Sequence, residues 1–385
     1  MFDSKQLIYF DYNSTTPLDS RVLEAMLPFL THNFANPSSS HPFGKFVNEK
    51  IVKARCLIAN LINAESRELI FTSGATESVN IAIKGVAENY AVKGKHIITV
   101  KTEHKAVLDT LDDLEKRGFE VTYLPVHTNG LIELSDLQKA LRKDTILVTV
   151  MLVNNETGVI QPLKEIVRIA HDFGALVMTD ATQAVGKMRV DVVDLGVDLL
   201  CFSGHKMYAP KGIGALYVKH RDKRVQLTPL VFGGGHEKGL RSGTLNVPGI
   251  IGLAKACEIA FEEMEQIEAF LKGLVSRLEQ ELLKLPNTYI NGVNGLRLFN
   301  TTNICFQGQD ANTLIGRIKN VAFSNGSACS SSIIEPSHVL LSMGLSDDDA
   351  FGSIRFSLGK YNTKEEIEIV LAEIKALINP TQNNA

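Results

Sequence analysis

The chain has 385 residues, 44% of them hydrophobic and 22% charged, the composition of an ordinary globular protein rather than a disordered or fibrous one. That length exceeds one ordinary core, so a large domain with a smaller companion is expected. A net charge of −3 gives no reason to expect direct binding of nucleic acid or an anionic membrane, and no window offers the roughly 20 apolar residues a membrane span needs.

The first ten residues lack a basic leader followed by a long apolar run, so no secretion signal is expected. Cys56, Cys201, Cys257, Cys305 and Cys329 are dispersed and never spaced Cys-x-x-Cys. That argues for a reducing, cytoplasmic setting and against a structural zinc or disulfide framework.

Asp11-Tyr-Asn-Ser-Thr-Thr-Pro-Leu-Asp19 is turn-rich and ends on a good cap for a helix over Ser20–Leu30. A polar loop, Asn36 to Pro42, precedes an amphipathic helix over 44–63. Strands and helices then alternate. Strand 69–72 meets Ser73-Gly-Ala-Thr76 and a helix to about Tyr90. Strand 96–100 leads to Thr102-Glu-His104 and another helix. Strand 121–124 precedes a helix near 134–141. Strand 145–153 ends on Asn154-Asn-Glu-Thr-Gly158, before a helix over 163–173. Strand 176–179 ends on Asp180-Ala-Thr-Gln183, and strand 199–202 on Ser203-Gly-His-Lys206, followed by a strand over 213–218.

This rhythm predicts an α/β fold, a mostly parallel sheet covered by helices on both faces. A long helical stretch over 248–285 could link it to a smaller α+β domain, with strands near Tyr289, Ile304, Val321 and Ile354 and helices over 312–319 and 364–378. The Ser- and Gly-rich loop 324–337 between these elements is expected to be mobile.

The alternation sets polar clusters around Ser73, His104, Asn155, Asp180 and Lys206 at the carboxyl ends of strands, the edge of an open α/β sheet where ligands bind. Ser73-Gly-Ala-Thr76 opens a helix with small residues and suits an anion. Asp180 ends an apolar strand, where a buried carboxylate needs a cationic partner such as a pyridinium nitrogen. His104 could stack on a ring and move protons. A lone lysine after a strand is usually a surface residue, but among these neighbours Lys206 is placed to act as an amine nucleophile. No Gly-Lys pair is followed by Ser or Thr, so there is no P-loop. Gly212-Ile-Gly214 does not open a helix, which weakens a dinucleotide reading, and no metal-ligand spacing occurs.

Ser203-Gly-His-Lys206 after Asp180-Ala-Thr-Gln183, with Thr72-Ser-Gly-Ala-Thr-Glu77, Thr102-Glu-His104 and Asn154-Asn-Glu156, resembles the fold-type I pyridoxal phosphate enzymes. The chain is more closely similar to the cysteine desulfurases of the NifS/IscS type. Ser324-Asn-Gly-Ser-Ala-Cys-Ser-Ser331 looks like the active-cysteine loop of that family's first group, and the likeness runs from Tyr9 to about Ile378. It implies a cofactor-binding domain over 15–258, and a small domain of 1–14 and 259–385 that carries the loop.

The resemblance also implies roles. Lys206 would hold the cofactor covalently and carry the substrate Cα proton. Asp180 would pair with the pyridine nitrogen, Gln183 would meet the ring hydroxyl, and His104 would stack on the ring and assist proton transfer. Ala75, Thr76, Ser203 and His205 would bind the phosphate, completed by Thr244 from a second copy, so a homodimer is implied. Arg355, with Asn155, would hold the substrate carboxylate.

A thiolate that reaches substrate sulfur and then carries it away must be exposed and movable, which suits Cys329. The other four cysteines fall on apolar patterns and read as core. The implied reaction takes L-cysteine to L-alanine and leaves a persulfide on Cys329, for delivery to an iron–sulfur scaffold or a tRNA-thiolation protein. A selenocysteine lyase or an aminotransferase are the alternatives. Asn325 stands where the family usually has a second serine. Housekeeping members often continue into a scaffold-docking tail, whereas this chain ends at Pro380-Thr-Gln-Asn-Asn-Ala385.

Overall fold

The computed structural model describes residues 7–221, 224–326 and 335–378. In chain order its strands are β1 (Ile8–Tyr9), β2 (Leu69–Thr72), β3 (His96–Val100), β4 (Glu120–Leu124), β5 (Thr145–Thr149), β6 (Leu176–Asp180), β7 (Leu199–Ser203), β8 (Gly214–Val218), β9 (Thr288–Ile290), β10 (Thr301–Phe306), β11 (Val321–Ala322) and β12 (Ser353–Ser357).

Seven of them form one sheet in the order β2-β8-β7-β6-β5-β3-β4, parallel except at β8, which runs against both neighbours. The inner strands β3, β5, β7 and β8 are buried along their whole length, and β6 at all but its first residue, as β-branched and aliphatic runs must be when helices cover both faces. Only the edge strand β4 is largely half-exposed. Because β2, β3, β5, β6 and β7 point the same way, their carboxyl ends share one rim, as the alternation predicts.

Strand β5 stops at Thr149, short of the expected 153. Past Thr149 the amides of Val150 and Leu152 still bond to β6, but the Met151 amide goes to the Glu103 carboxylate, and Asn154 Oδ1 then accepts from the amides of Glu156 and Thr157 as the chain turns back.

Four helices position the rim: α1 (Ser20–Thr31), α2 (Pro42–Leu61), α3 (Ala75–Tyr90) and α4 (Lys105–Lys116). Asp19 caps α1, accepting from the Arg21 amide at 2.9 Å, and Pro42 opens α2 at the position where a missing N–H costs nothing. Val47, Ile51, Ala54 and Ile58 form the inward stripe of α2. Cys56 lies two residues from both Ala54 and Ile58, which turns it to the opposite face. It is exposed, so the core reading of this cysteine is wrong, whereas Cys201, Cys257 and Cys305 are buried as expected.

The helix Val247–Leu282 joins two cores. Its first half, with Ile250 and Leu253, packs against the large sheet's helices. Leu271, Leu274 and Leu278 belong instead to a second core around the antiparallel strands β9, β10 and β12. Strand β1 pairs in parallel with β11, and Phe10 is fully buried in that second core. Among the described residues, no helix is long and apolar enough to cross a membrane.

Candidate functional site

A cavity of about 640 Å³ lies on the rim, where β2, β6 and β7 end. A wider groove of about 1010 Å³ on the second core is lined by residues such as Gln307, Asp310 and Asp348. It offers no amine, imidazole or thiol, so reactive chemistry belongs to the smaller cavity.

Strand β7 runs into a single tight turn, Gly204–Lys206, closed by the Gly204 amide on the Ile213 carbonyl at 2.9 Å. The turn throws the Lys206 side chain into the cavity, where Nζ donates to the carbonyls of Asn13 and Ser14, each at 2.6 Å. Among the described residues no carboxylate makes an ion pair with it. Burial pulls the amine's pKa down to about 8, and Arg355 pushes the same way against Asp11 and Asp180. Lys206 is therefore neutral in about a tenth of molecules at pH 7, far more than an exposed lysine, and neutrality is the state an amine nucleophile needs.

Asp180, at the end of β6, is 5% exposed and lines the same cavity. One carboxylate oxygen accepts from the Thr182 amide at 2.9 Å, and no described cation pairs with the group. Beneath it, burial, then Asp180 and Glu103, push the Cys201 thiol well above its usual value, which makes that cysteine inert. Glu103 is itself fully buried, and desolvation pushes its pKa well above the usual carboxyl value. One of its oxygens accepts from the Met151 amide, and the other has no partner among the described residues.

Ala75 and Thr76 begin α3, so their amides belong to the unpaired first turn and face the cavity beside Ser203. Gly214 makes this cradle possible: a Cβ there would stand 2.7 Å from Gly74 Cα and 2.6 Å from the Phe202 carbonyl. His205 lies alongside, its ring nitrogen 3.1 Å from Thr15 Oγ1. Burial, then Lys206, Lys211 and Lys187, lower its pKa to about 4, so the ring is neutral at working pH. The Arg241–Glu77 ion pair, 2.8 Å, ties the Arg241-Ser-Gly-Thr244 loop to α3. Thr244 is exposed and lies outside its own chain's cavity lining.

His104 caps α4: its Nδ1 accepts from the Ala106 amide at 3.1 Å, which in the neutral ring puts the proton on Nε2. The ring lines the cavity. Gln183 is also on the lining, and its Nε2 donates to the Asn13 carbonyl at 3.0 Å.

The Arg355 side chain is 5% exposed. Its guanidinium donates to Asp11 at 2.6 Å, to Ser14 Oγ at 2.8 Å and to the Asn155 carbonyl at 3.0 Å. Its Nε, although buried, has no partner among the described residues. The fork expected to face a substrate carboxylate is thus braced by an internal carboxylate while still lining the cavity. Cys329 lies outside the described residues, but the chain on either side of it is anchored. Ser324 pairs with Arg355 of β12, Ser337 Oγ donates to Glu156 at 2.5 Å, and Gly326 abuts the same carboxylate. Burial raises the Glu156 pKa to about 7 against the opposing pull of Ser337 and Arg355.

The structure thus gathers Ala75, Thr76, His104, Asn155, Asp180, Gln183, Ser203, His205, Lys206 and Arg355 around one cavity. The sequence reading missed Asn13 and Ser14, treated only as part of a turn-rich stretch, as well as Glu156 and Lys187. Asn13 did carry a signal. It opens a run of four small polar residues shortly after the strand Ile8–Tyr9.

The class-V aminotransferase family profile matches residues 8–370. A cysteine desulfurase IscS of Methylococcus capsulatus is 50% identical over 369 residues, spanning 96% of this chain and 91% of that one. A probable mitochondrial cysteine desulfurase of Dictyostelium discoideum is 49% identical over 373 residues, with 96% and 83% covered. Among solved structures, a NifS-like protein superposes with a TM-score of 0.91 at 39% identity, covering 97% of this chain and 99% of that one.

Proposed function

The chain belongs to the class-V aminotransferase family, and from that premise we propose that it is a pyridoxal phosphate-dependent cysteine desulfurase. The observation that carries the reading is the pairing, in one cavity, of a neutralisable amine (Lys206) with a buried carboxylate (Asp180) that no described cation satisfies. That pair fits the aldehyde and pyridinium ends of the cofactor, and the α3 amides with Ser203 and His205 fit its phosphate.

Bound there, pyridoxal phosphate supplies an electron sink for the bond at the substrate Cα. Asp180 would keep the ring nitrogen protonated, Gln183 would donate to the ring hydroxyl, and His104, with a proton on Nε2, would lie against the ring. Lys206 takes the Cα proton of L-cysteine, and Arg355, with Asn155, orients the substrate carboxylate. The Cys329 thiolate attacks the substrate sulfur. Its S–S bond forms as the carbon–sulfur bond breaks, and the carbon gains a proton to leave as L-alanine. One thiol and one cysteine thus become one persulfide and one alanine, with no external oxidant.

The persulfide passes to a protein acceptor for iron–sulfur cluster assembly or tRNA thiolation. Residues 15–258 act as the cofactor-binding domain, with 1–14 and 259–385 as the smaller domain bearing the active cysteine. A second copy of the chain supplies Thr244 to the phosphate cradle. Support comes from Thr244 facing outward and from exposed apolar side chains on and between α1 and α2, including Leu27, Leu30, Phe34 and Phe43. The setting is cytoplasmic, as for a chain with dispersed thiols.

Incubation of the purified protein with pyridoxal phosphate and L-cysteine tests the reading: it expects equimolar alanine and sulfide in the presence of a thiol reductant. Turnover that requires a keto acid would point to an aminotransferase instead.

A further inference from the structure

Lys187 is a second half-buried lysine beside the cavity, and the chemistry above does not use it. Its Nζ donates to Gln183 Oε1 at 2.7 Å and to Asn13 Oδ1 at 3.1 Å, and no described carboxylate pairs with it. An amine offers these two oxygens only donors, so both amides must turn their oxygens toward Lys187 and their nitrogens away. The consequences are visible on each side. Gln183 Nε2 points to the Asn13 carbonyl, the same oxygen that receives Lys206 Nζ. Asn13 Nδ2 points to the Asn155 carbonyl at 3.1 Å and to Thr301 Oγ1 of β10 at 2.9 Å.

We propose that Lys187 is a positioning residue: it fixes Gln183 as a hydrogen-bond donor toward the cofactor's ring hydroxyl and fixes Asn13 as the clasp between the cavity and β10. A flipped Gln183 amide would present an oxygen where the ring hydroxyl oxygen needs a proton, and a flipped Asn13 amide would set two carbonyl oxygens against each other at Asn155. The role does not require a positive charge, since a neutral amine carries the two hydrogens that two acceptors need. Burial and the neighbouring Lys206 and Arg355 do hold this amine well below its usual pKa.

The proposal rests on the pyridoxal phosphate reading, and its test separates the two. Apo-protein is titrated with pyridoxal phosphate, recording affinity and the position of the visible band for wild type, Lys187→Met, Gln183→Leu and the double variant. Lys187→Met is expected to shift the band and weaken binding about fivefold, the scale of one hydrogen bond. Gln183→Leu should do the same, and the double variant should add nothing further, because the lysine acts through the glutamine.

Unchanged band and affinity in Lys187→Met, a mere loss of thermal stability, or fully additive effects would overturn the role. If Lys187→Met does not fold, Lys187→Gln, which keeps one donor group, should show a smaller shift in the same direction, and no shift would count against the proposal. A wild-type protein that binds no pyridoxal phosphate would remove the functional reading, and the proposal with it.

Discussion

Lys206 Nζ stands 2.6 Å from the carbonyl oxygen of Asn13, so the reactive amine is held by neutral backbone oxygen where a lysine would ordinarily meet a carboxylate. Neutral acceptors leave the burial penalty on the ammonium form uncompensated, which is why the amine is poised to lose its proton. Lys206→Ala should therefore abolish the covalent visible band and alanine formation together, while the apo-protein keeps its thermal stability to within about 1 kcal/mol. Absorbance after desalting and a thermal melt check both.

The same poise sets a pH dependence. Because the folded pKa falls from 10.5 to about 8, the neutral fraction grows with pH up to that value and then levels. The rate of pyridoxal phosphate capture by apo-protein should rise about tenfold per pH unit well below 8 and flatten above it. A profile still climbing to pH 10 would mean that the cavity does not desolvate the amine.

Arg355→Lys keeps the charge but gives up the planar fork held by Asp11, Ser14 and Asn155. Charge-assisted bidentate contacts contribute about 1.5–3 kcal/mol, so KM for L-cysteine should rise about tenfold or more while cofactor binding changes little. Steady-state kinetics beside a cofactor titration separate these effects.

Glu156 has its pKa raised from 4.5 to about 7, so the folded protein binds a proton there that the unfolded chain releases earlier. The sign follows from that difference. Stability contributed by the neutral carboxyl is full below about 4.5 and is lost as pH rises toward 7, by roughly 3 kcal/mol for a shift of this size. Glu156→Gln mimics the protonated form, so the variant should lose less stability than wild type between pH 5 and 8. Denaturant melts across that range are the measurement; parallel profiles would rule the assignment out.

Cys329→Ser should retain the visible band and L-cysteine binding but form no persulfide and release no alanine at a significant rate. Mass spectrometry of the treated protein, looking for one added sulfur, reads the result directly.

Much of this site was legible because chemistry and topology coincide in short motifs. Asp180 ends and Lys206 closely follows a mostly apolar strand, so their place on the sheet rim follows from the alternation itself. The Asn13 contribution was legible only as a polar turn, not as a partner of Lys206. Its neighbours Ile8 and Phe10 join the second core, where Ile8 pairs with Val321 and Tyr9 with Ala322, and no local pattern encodes so distant a pairing. Cys56 misled because α2 carries apolar residues outside its buried stripe, among them Phe46, Val52 and Leu57, which blurs the periodicity that separates its faces. Glu156 and Lys187 read as ordinary charged residues, since burial is a property of the assembled fold.

The pairing of Ile8 and Tyr9 with Val321 and Ala322 has a kinetic consequence. The first strand cannot find its neighbour until most of the polypeptide has been synthesised, and closing so long a span is slow. Asn13 reaches Lys206 from the turn that follows this strand, so the lysine gains its carbonyl anchors late. A chain made only as far as β8 (Gly214–Val218) would own the helical cradle, the aspartate and the lysine but leave that lysine unrestrained, so that productive sulfur chemistry waits for the last acts of folding.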